Sequence, residues 1–135
     1  MKATMVFLLF FALISCRSSY TSMEDKPKGS NIVESKNGEE YELIIIDPGF
    51  DRWFVSNRRP VNFHELSFYE NQNQRYVQAW NEKVSQQGLY GPNSPFENRI
   101  DYDPAKAYGL ELNYKLYYYF KYIEDVYGNR YNFPM

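Results

Sequence analysis

The chain reads as a small single α+β domain, a β-hairpin or short antiparallel sheet packed on two helices at about 67–87 and 109–127. Three observations predict it. A short β-branched run at 41–46 is followed at once by turn residues. Two later stretches space their apolar residues at the helical period. The polar segment between residues 17 and 40 carries too little apolar surface to join a core.

Tyr41-Glu42-Leu43-Ile44-Ile45-Ile46 predicts a first strand, since it is short, apolar and β-branched. Asp47-Pro48-Gly49 breaks it in the pattern of a type II turn. That turn twists the wrong way for a tight hairpin, so a wider loop through Phe50-Asp51 is expected. Arg52-Trp53-Phe54-Val55 predicts the second strand, ended by Ser56-Asn57-Arg58-Arg59-Pro60.

A helix follows, with Asn62 as its cap and Glu65 as the capping-box partner. Its stronger part runs from about Ser67 to Gln87. Tyr69, Tyr76, Val77, Trp80 and Val84 form one stripe on it, and Gly88 is the expected breaker. Gly88 to Pro104 is punctuated as a long loop, in which Glu97 to Tyr102 fits a short edge strand.

The last element carries two patterns. Leu110, Leu112, Tyr114, Leu116, Tyr118, Phe120 and Tyr122 alternate as in a strand. Leu112, Leu116, Tyr119, Phe120, Ile123, Val126 and Tyr127 also fall on one arc of a helix. The helix accounts for more residues, and a strand of this length would be unusual. It turns Lys121, Glu124 and Asp125 outward. It also leaves Tyr114, Tyr117, Tyr118 and Tyr122 on its far side, where a second neighbour is needed; the tail Tyr131-Asn132-Phe133-Pro134 is one choice.

The N-terminus has another logic. Lys2 precedes an apolar run from Met5 to Ile14, and Leu13-Ile14-Ser15-Cys16 follows. Ten apolar residues span only about 15 Å as a helix, half a bilayer core, so a secretory signal fits better than a membrane-spanning helix. Leu, a small residue and then Cys resemble a bacterial lipobox. That implies a signal peptide at 1–15, lipid attachment at Cys16 and a flexible tether at 16–40, before a globular domain at 41–135. Several acyl chains on Cys16 would hold the protein at a membrane. With no second cysteine in the chain, no intramolecular disulfide is available. A tether of this length reaches roughly 27 Å. The expected location is the outer membrane, facing the periplasm.

Charge excludes one class of partner. Fifteen basic and seventeen acidic residues give a formal net charge of −2, and the basic residues are scattered apart from Arg58-Arg59. No field exists to attract nucleic acid.

Few residues offer chemistry. Asp47 and Asp51 are a carboxylate pair on one predicted loop, and His64 is the single histidine. With Asp101 they would be the parts of a small envelope hydrolase acting on glycan or peptide. Turn formation and a place in a first helical turn account for them as well. Glu97, Asp101 and Asp103 lack the spacing of a calcium loop. No metal or cofactor is expected. Trp53 sits in a predicted strand with Phe54, and one of the two must face out if the sheet has a single core face; Arg52, Arg58 and Arg59 lie near. Asp47, Asp51, Arg52, Trp53 and Arg59 are therefore the candidate binding residues. The leading expectation is a non-enzymatic binding or scaffolding module with an envelope protein or glycan as partner.

Four segments together carry a resemblance: Ile46 to Trp53, Tyr76 to Asn81, Ile100-Asp101-Tyr102 and Tyr108 to Tyr114. They resemble a family of short Bacteroidota lipoproteins of unknown function, over nearly all of residues 41–127. The resemblance implies a lipoprotein of a bacterium with two membranes, and implies no activity.

Overall fold

The computed structural model describes residues 30–34 and 41–134. The expected signal peptide, Cys16 and most of the expected tether lie outside the described residues. The domain is small and mostly helical. Strands β1 (Ser30–Glu34) and β2 (Tyr41–Ile45) precede helices α1 (Pro48–Asn57), α2 (Leu66–Ser85) and α3 (Gly109–Tyr131). Two 3₁₀ turns, Val61–Phe63 and Gln87–Leu89, flank α2. Among the described residues no helix is long and apolar enough to cross a membrane.

Sheet structure among the described residues is limited to one antiparallel pair, with Ser30 opposite Ile45 and Glu34 opposite Tyr41. The partner of β2 therefore comes from before it, out of the stretch expected to be tether, where Ile32-Val33 supply β-branched residues. The second strand expected at Arg52–Val55 is instead part of α1. Asp47 is the reason. It has extended backbone and its Oδ1 accepts from the Gly49 N–H at 2.9 Å, capping a helix with Pro48 in its first turn. Phe50, Trp53 and Phe54 then recur at helical spacing, and Phe50 and Phe54 stack at 5.2 Å. Among the described residues the expected sheet packed on two helices gives way to three helices with one strand pair.

α2 follows the predicted stripe: Tyr69, Tyr76, Val77 and Trp80 are buried, and Val84 packs at the margin. Its start differs from expectation. Asn62 lies inside the 3₁₀ turn, and the helix begins at Leu66 without a side-chain cap.

No strand forms at Glu97–Tyr102. The Asn81 side chain takes the place of a neighbouring strand: its Oδ1 accepts from the Ile100 N–H at 2.9 Å, and its Nδ2 donates to the Ile100 carbonyl at 3.0 Å. Trp80 adds a bond from Nε1 to the Asn98 carbonyl at 2.8 Å. Phe96 and Ile100 thereby enter the core as parts of a pinned loop.

α3 is helical throughout and buried on most of its circumference, as a central helix must be. α2 covers one side. α1 covers the far side, where Phe54 meets Tyr114 and Tyr118, and Phe50 meets Tyr119 and Tyr122. Of the four tyrosines that needed a neighbour, Tyr114, Tyr118 and Tyr122 are buried under α1, while Tyr117 packs against Phe68, Tyr69 and Tyr76 of α2. The tail covers the other side: Phe133 stacks on Tyr76 and meets Trp80 and Phe96. Gly128 lies within the helix. Its carbonyl receives the Asn132 and Phe133 N–H groups, and a Cβ there would stand 3.2 Å from the Phe133 carbonyl oxygen. Asn132, at φ 52°, makes the left-handed turn that ends the helix.

Burial raises the pKa of Tyr69, Tyr76, Tyr102, Tyr108, Tyr114, Tyr117 and Tyr119. For Tyr102 burial, with Glu70 nearby, pushes it up to about 12. A phenol whose folded pKa lies above its unfolded value adds stability that is complete below about pH 10 and is lost as pH rises through the folded value. Alkaline unfolding is therefore expected to begin near pH 10 and steepen to about pH 12. It should coincide with a cooperative rise in phenolate absorbance. Gradual phenolate formation near pH 10 with helicity unchanged would contradict it.

Candidate functional site

α1, its N-cap and its immediate continuation carry all five candidate binding residues, but in different roles. Asp47 is 3% exposed and is the cap of the helix. Its Oδ1 also accepts from the Tyr122 hydroxyl at 3.4 Å, and its Oδ2 is buried with no hydrogen-bond partner. Tyr119 lies near enough for the Asp47 charge to add to burial in raising its pKa. Gly49 makes this junction possible: a Cβ there would stand 2.5 Å from the Tyr122 hydroxyl and 3.1 Å from Asp47 Oδ1. Asp47 is thus a structural hinge between β2, α1 and α3. Asp51 is exposed in the first turn, where a carboxylate is stabilised by the helix N-terminus.

The hydrolase parts are not brought together. Asp47 contacts Gly49 and Tyr122. His64 stacks on Phe68 at 3.9 Å and meets Phe63 and Tyr69. Asp101 lies beside Tyr108. These groups have no contact in common. Among the described residues, no three His, Cys, Asp or Glu side chains are arranged to hold a metal ion.

Trp53 behaves differently. Its Nε1 donates to Asp125 Oδ2 at 2.8 Å and its ring leans on Tyr122 at 5.8 Å. It remains partly exposed and borders a cleft of about 380 Å³ with Asn57, Lys121, Glu124, Asp125 and Asn129. Each wall has a local cause. Asn57 Nδ2 donates to the Trp53 carbonyl at 2.7 Å at the end of α1. Lys121, Glu124, Asp125 and Asn129 follow one another at helical spacing on α3. Lys121 pairs with Glu124, whose Oε2 also accepts from the Tyr76 hydroxyl at 3.0 Å.

A second, basic-rimmed groove lies past the end of α1. Arg58, Glu111 and Tyr114 are shared between a part of about 400 Å³ that reaches Tyr41 and Lys115 and a part of about 500 Å³ that reaches Arg59 and Val61. The linker is fixed by paired bonds. The Arg59 N–H donates to the Tyr118 hydroxyl at 2.9 Å, and the Tyr114 hydroxyl donates to the Arg59 carbonyl. The Arg59 guanidinium lies over Phe63 at 4.5 Å, and that of Arg58 over Phe54 at 5.3 Å. Between the two clefts α1 shows solvent Asp51, Arg52 and Val55, the last 71% exposed.

Sequence reasoning identified Trp53 and Arg59 but did not join Trp53 to its partners on α3. The outward stripe Lys121, Glu124 and Asp125 was legible. What was missing is that α1 is a helix, which sets Trp53 against that stripe.

No curated protein and no solved structure matches the chain. A model titled Family of unknown function (DUF6146) matches residues 4–133, almost the whole sequence, and the chain belongs to that family.

Proposed function

We propose that the protein is a lipid-anchored envelope component whose α1 surface binds another envelope molecule and catalyses no reaction. The observation that carries the binding role is the placement of Trp53. A large aromatic is fixed by Asp125 and Tyr122 at the rim of a cleft, not within the core. Rigid aromatics at a surface give large contact area at small entropic cost. The buried tyrosines of α3 lend no support, because α1, α2 and the long loop already cover them.

The anchor rests on the sequence. The apolar run and Cys16 lie inside the span matched by the family model, and Leu13, Ser15 and Cys16 sit where lipoprotein processing requires them. The outer membrane, facing the periplasm, is the proposed location, and a source among the Bacteroidota remains part of this reading.

Two experiments test the two halves. Metabolic labelling with an alkynyl fatty acid is expected to mark the wild type and leave Cys16→Ala unlabelled; equal labelling of both would sink the anchor. A photo-crosslinking residue in place of Val55 is expected to give a discrete adduct in intact cells. If it yields no more than the same residue at exposed Gln78 on α2, α1 is not a binding surface.

A further inference from the structure

We infer that the cleft beside Trp53 is a saccharide subsite, taking an uncharged pyranose unit of an envelope glycan; this rests on the binding role proposed above and names its ligand.

The floor comes first. An indole fixed through Nε1 and braced by a tyrosine loses no rotamer freedom when a ligand lands on it. The apolar C–H face of a pyranose stacks on such a ring, while its edge hydroxyls need polar partners within the same few ångströms. The walls supply them. Asn57 gives one Nδ2 hydrogen to the Trp53 carbonyl, which holds the amide in place with its Oδ1 as an acceptor. Asn129 offers both an acceptor and donors. Asp125 uses only Oδ2 on the indole, and a carboxylate has two oxygens for adjacent hydroxyls. The volume, about 380 Å³, lies in the range of small-ligand sites.

Charge decides against the other ligand classes. Lys121 is offset by Glu124, so Asp125 leaves the cleft with a single net negative charge. A phosphate or an acidic peptide would meet two carboxylates there. A cationic peptide would find a single available carboxylate, since Glu124 holds Lys121 and the Tyr76 hydroxyl and Asp125 shares its charge with the indole N–H. Sugar hydroxyls make no such demand, because they both donate and accept.

The test uses the full-length chain in detergent micelles and saturation-transfer NMR. The probes are uncharged tetrasaccharides of glucose and of N-acetylglucosamine, with tetralysine and inorganic phosphate beside them. Saturable transfer to at least one tetrasaccharide is expected, weakened roughly tenfold by Trp53→Ala through loss of the stacking surface. Asn129→Ala, an exposed change that leaves α3 folded, is expected to weaken it several-fold with an unchanged unfolding midpoint, which guards against misfolding of the first variant. Absence of transfer to either saccharide, preference for tetralysine or phosphate, or equal transfer in both variants would each overturn the proposal. A Val55 crosslink without saccharide binding would leave the binding role standing and remove only its glycan; failure of both removes both.

Discussion

Replacing Trp80 by alanine is expected to cost about 3–5 kcal/mol of folding stability, as large-to-small changes at buried aromatics do. The site has no room to collapse gently. Trp80 is 0% exposed and meets Phe96, Tyr119, Phe120 and Phe133, which come from the long loop, α3 and the tail. Its Nε1 also satisfies the Asn98 carbonyl. Truncation thus removes the contact that holds α2, α3, the loop and the C-terminus together, and deprives a loop carbonyl of its donor. For a domain of this size the loss is comparable to much of the total stability. Urea unfolding followed by far-ultraviolet circular dichroism should show a much lower midpoint or no folded baseline. A shift below about 1 kcal/mol would mean that the loop and tail repack around the void.

The second large effect is expected from Asn113→Leu, a change of similar size that deletes the polar groups. Asn113 is fully buried on α3. Its Oδ1 accepts from the Tyr102 hydroxyl at 2.8 Å and from Asn73 Nδ2 at 3.1 Å, and its Nδ2 donates to the Gly109 carbonyl at 2.9 Å. Leucine leaves the partly buried Tyr102 hydroxyl without this acceptor and the fully buried Asn73 with one bond fewer, where water cannot replace it. About 2–3 kcal/mol is expected, because an abandoned buried polar group costs its desolvation. The double change Asn73→Leu with Asn113→Leu should cost less than the sum of the two single changes, since both then remove the same pair. Strict additivity, or a stabilised Asn113→Leu, would show that the amide pair is not coupled.

The legible part of the fold was the part written at helical spacing over many residues. Tyr69, Tyr76, Val77 and Trp80 declared α2, and Ile123 to Tyr127 tipped α3 toward helix although its first half alternates. α1 was lost for a definite reason. Arg52-Trp53-Phe54-Val55, taken alone, is β-prone, and Asp47-Pro48-Gly49 is also turn chemistry. The decisive information is the Asp47 cap joined to the pair Phe50 and Phe54, which has meaning only if the helix already exists. The expected strand at 97–102 failed because a single side chain, Asn81, supplies both bonds that a partner strand would give. Of the candidate site, Trp53 and Arg59 were visible as residues. Their surroundings were not, because Asp125 and Tyr118 reach them across about seventy and sixty positions of chain, respectively, and such pairs follow from packing and not from local pattern.

The single long helix α3 also sets a direction. β2 lies against it near Leu112, whereas the Trp53 cleft opens near Asp125. Between those points the helix rises about 20 Å. The strand pair runs along the same stretch, with Ser30 opposite Ile45, two residues before the Asp47 cap that meets Tyr122. Ser30, the first residue of β1, therefore lies toward the Trp53 end of that axis, and Glu34 and Tyr41 lie toward its other end. The bearing of the cleft on the start of the strand pair is set by the single junction of Asp47 with Tyr122.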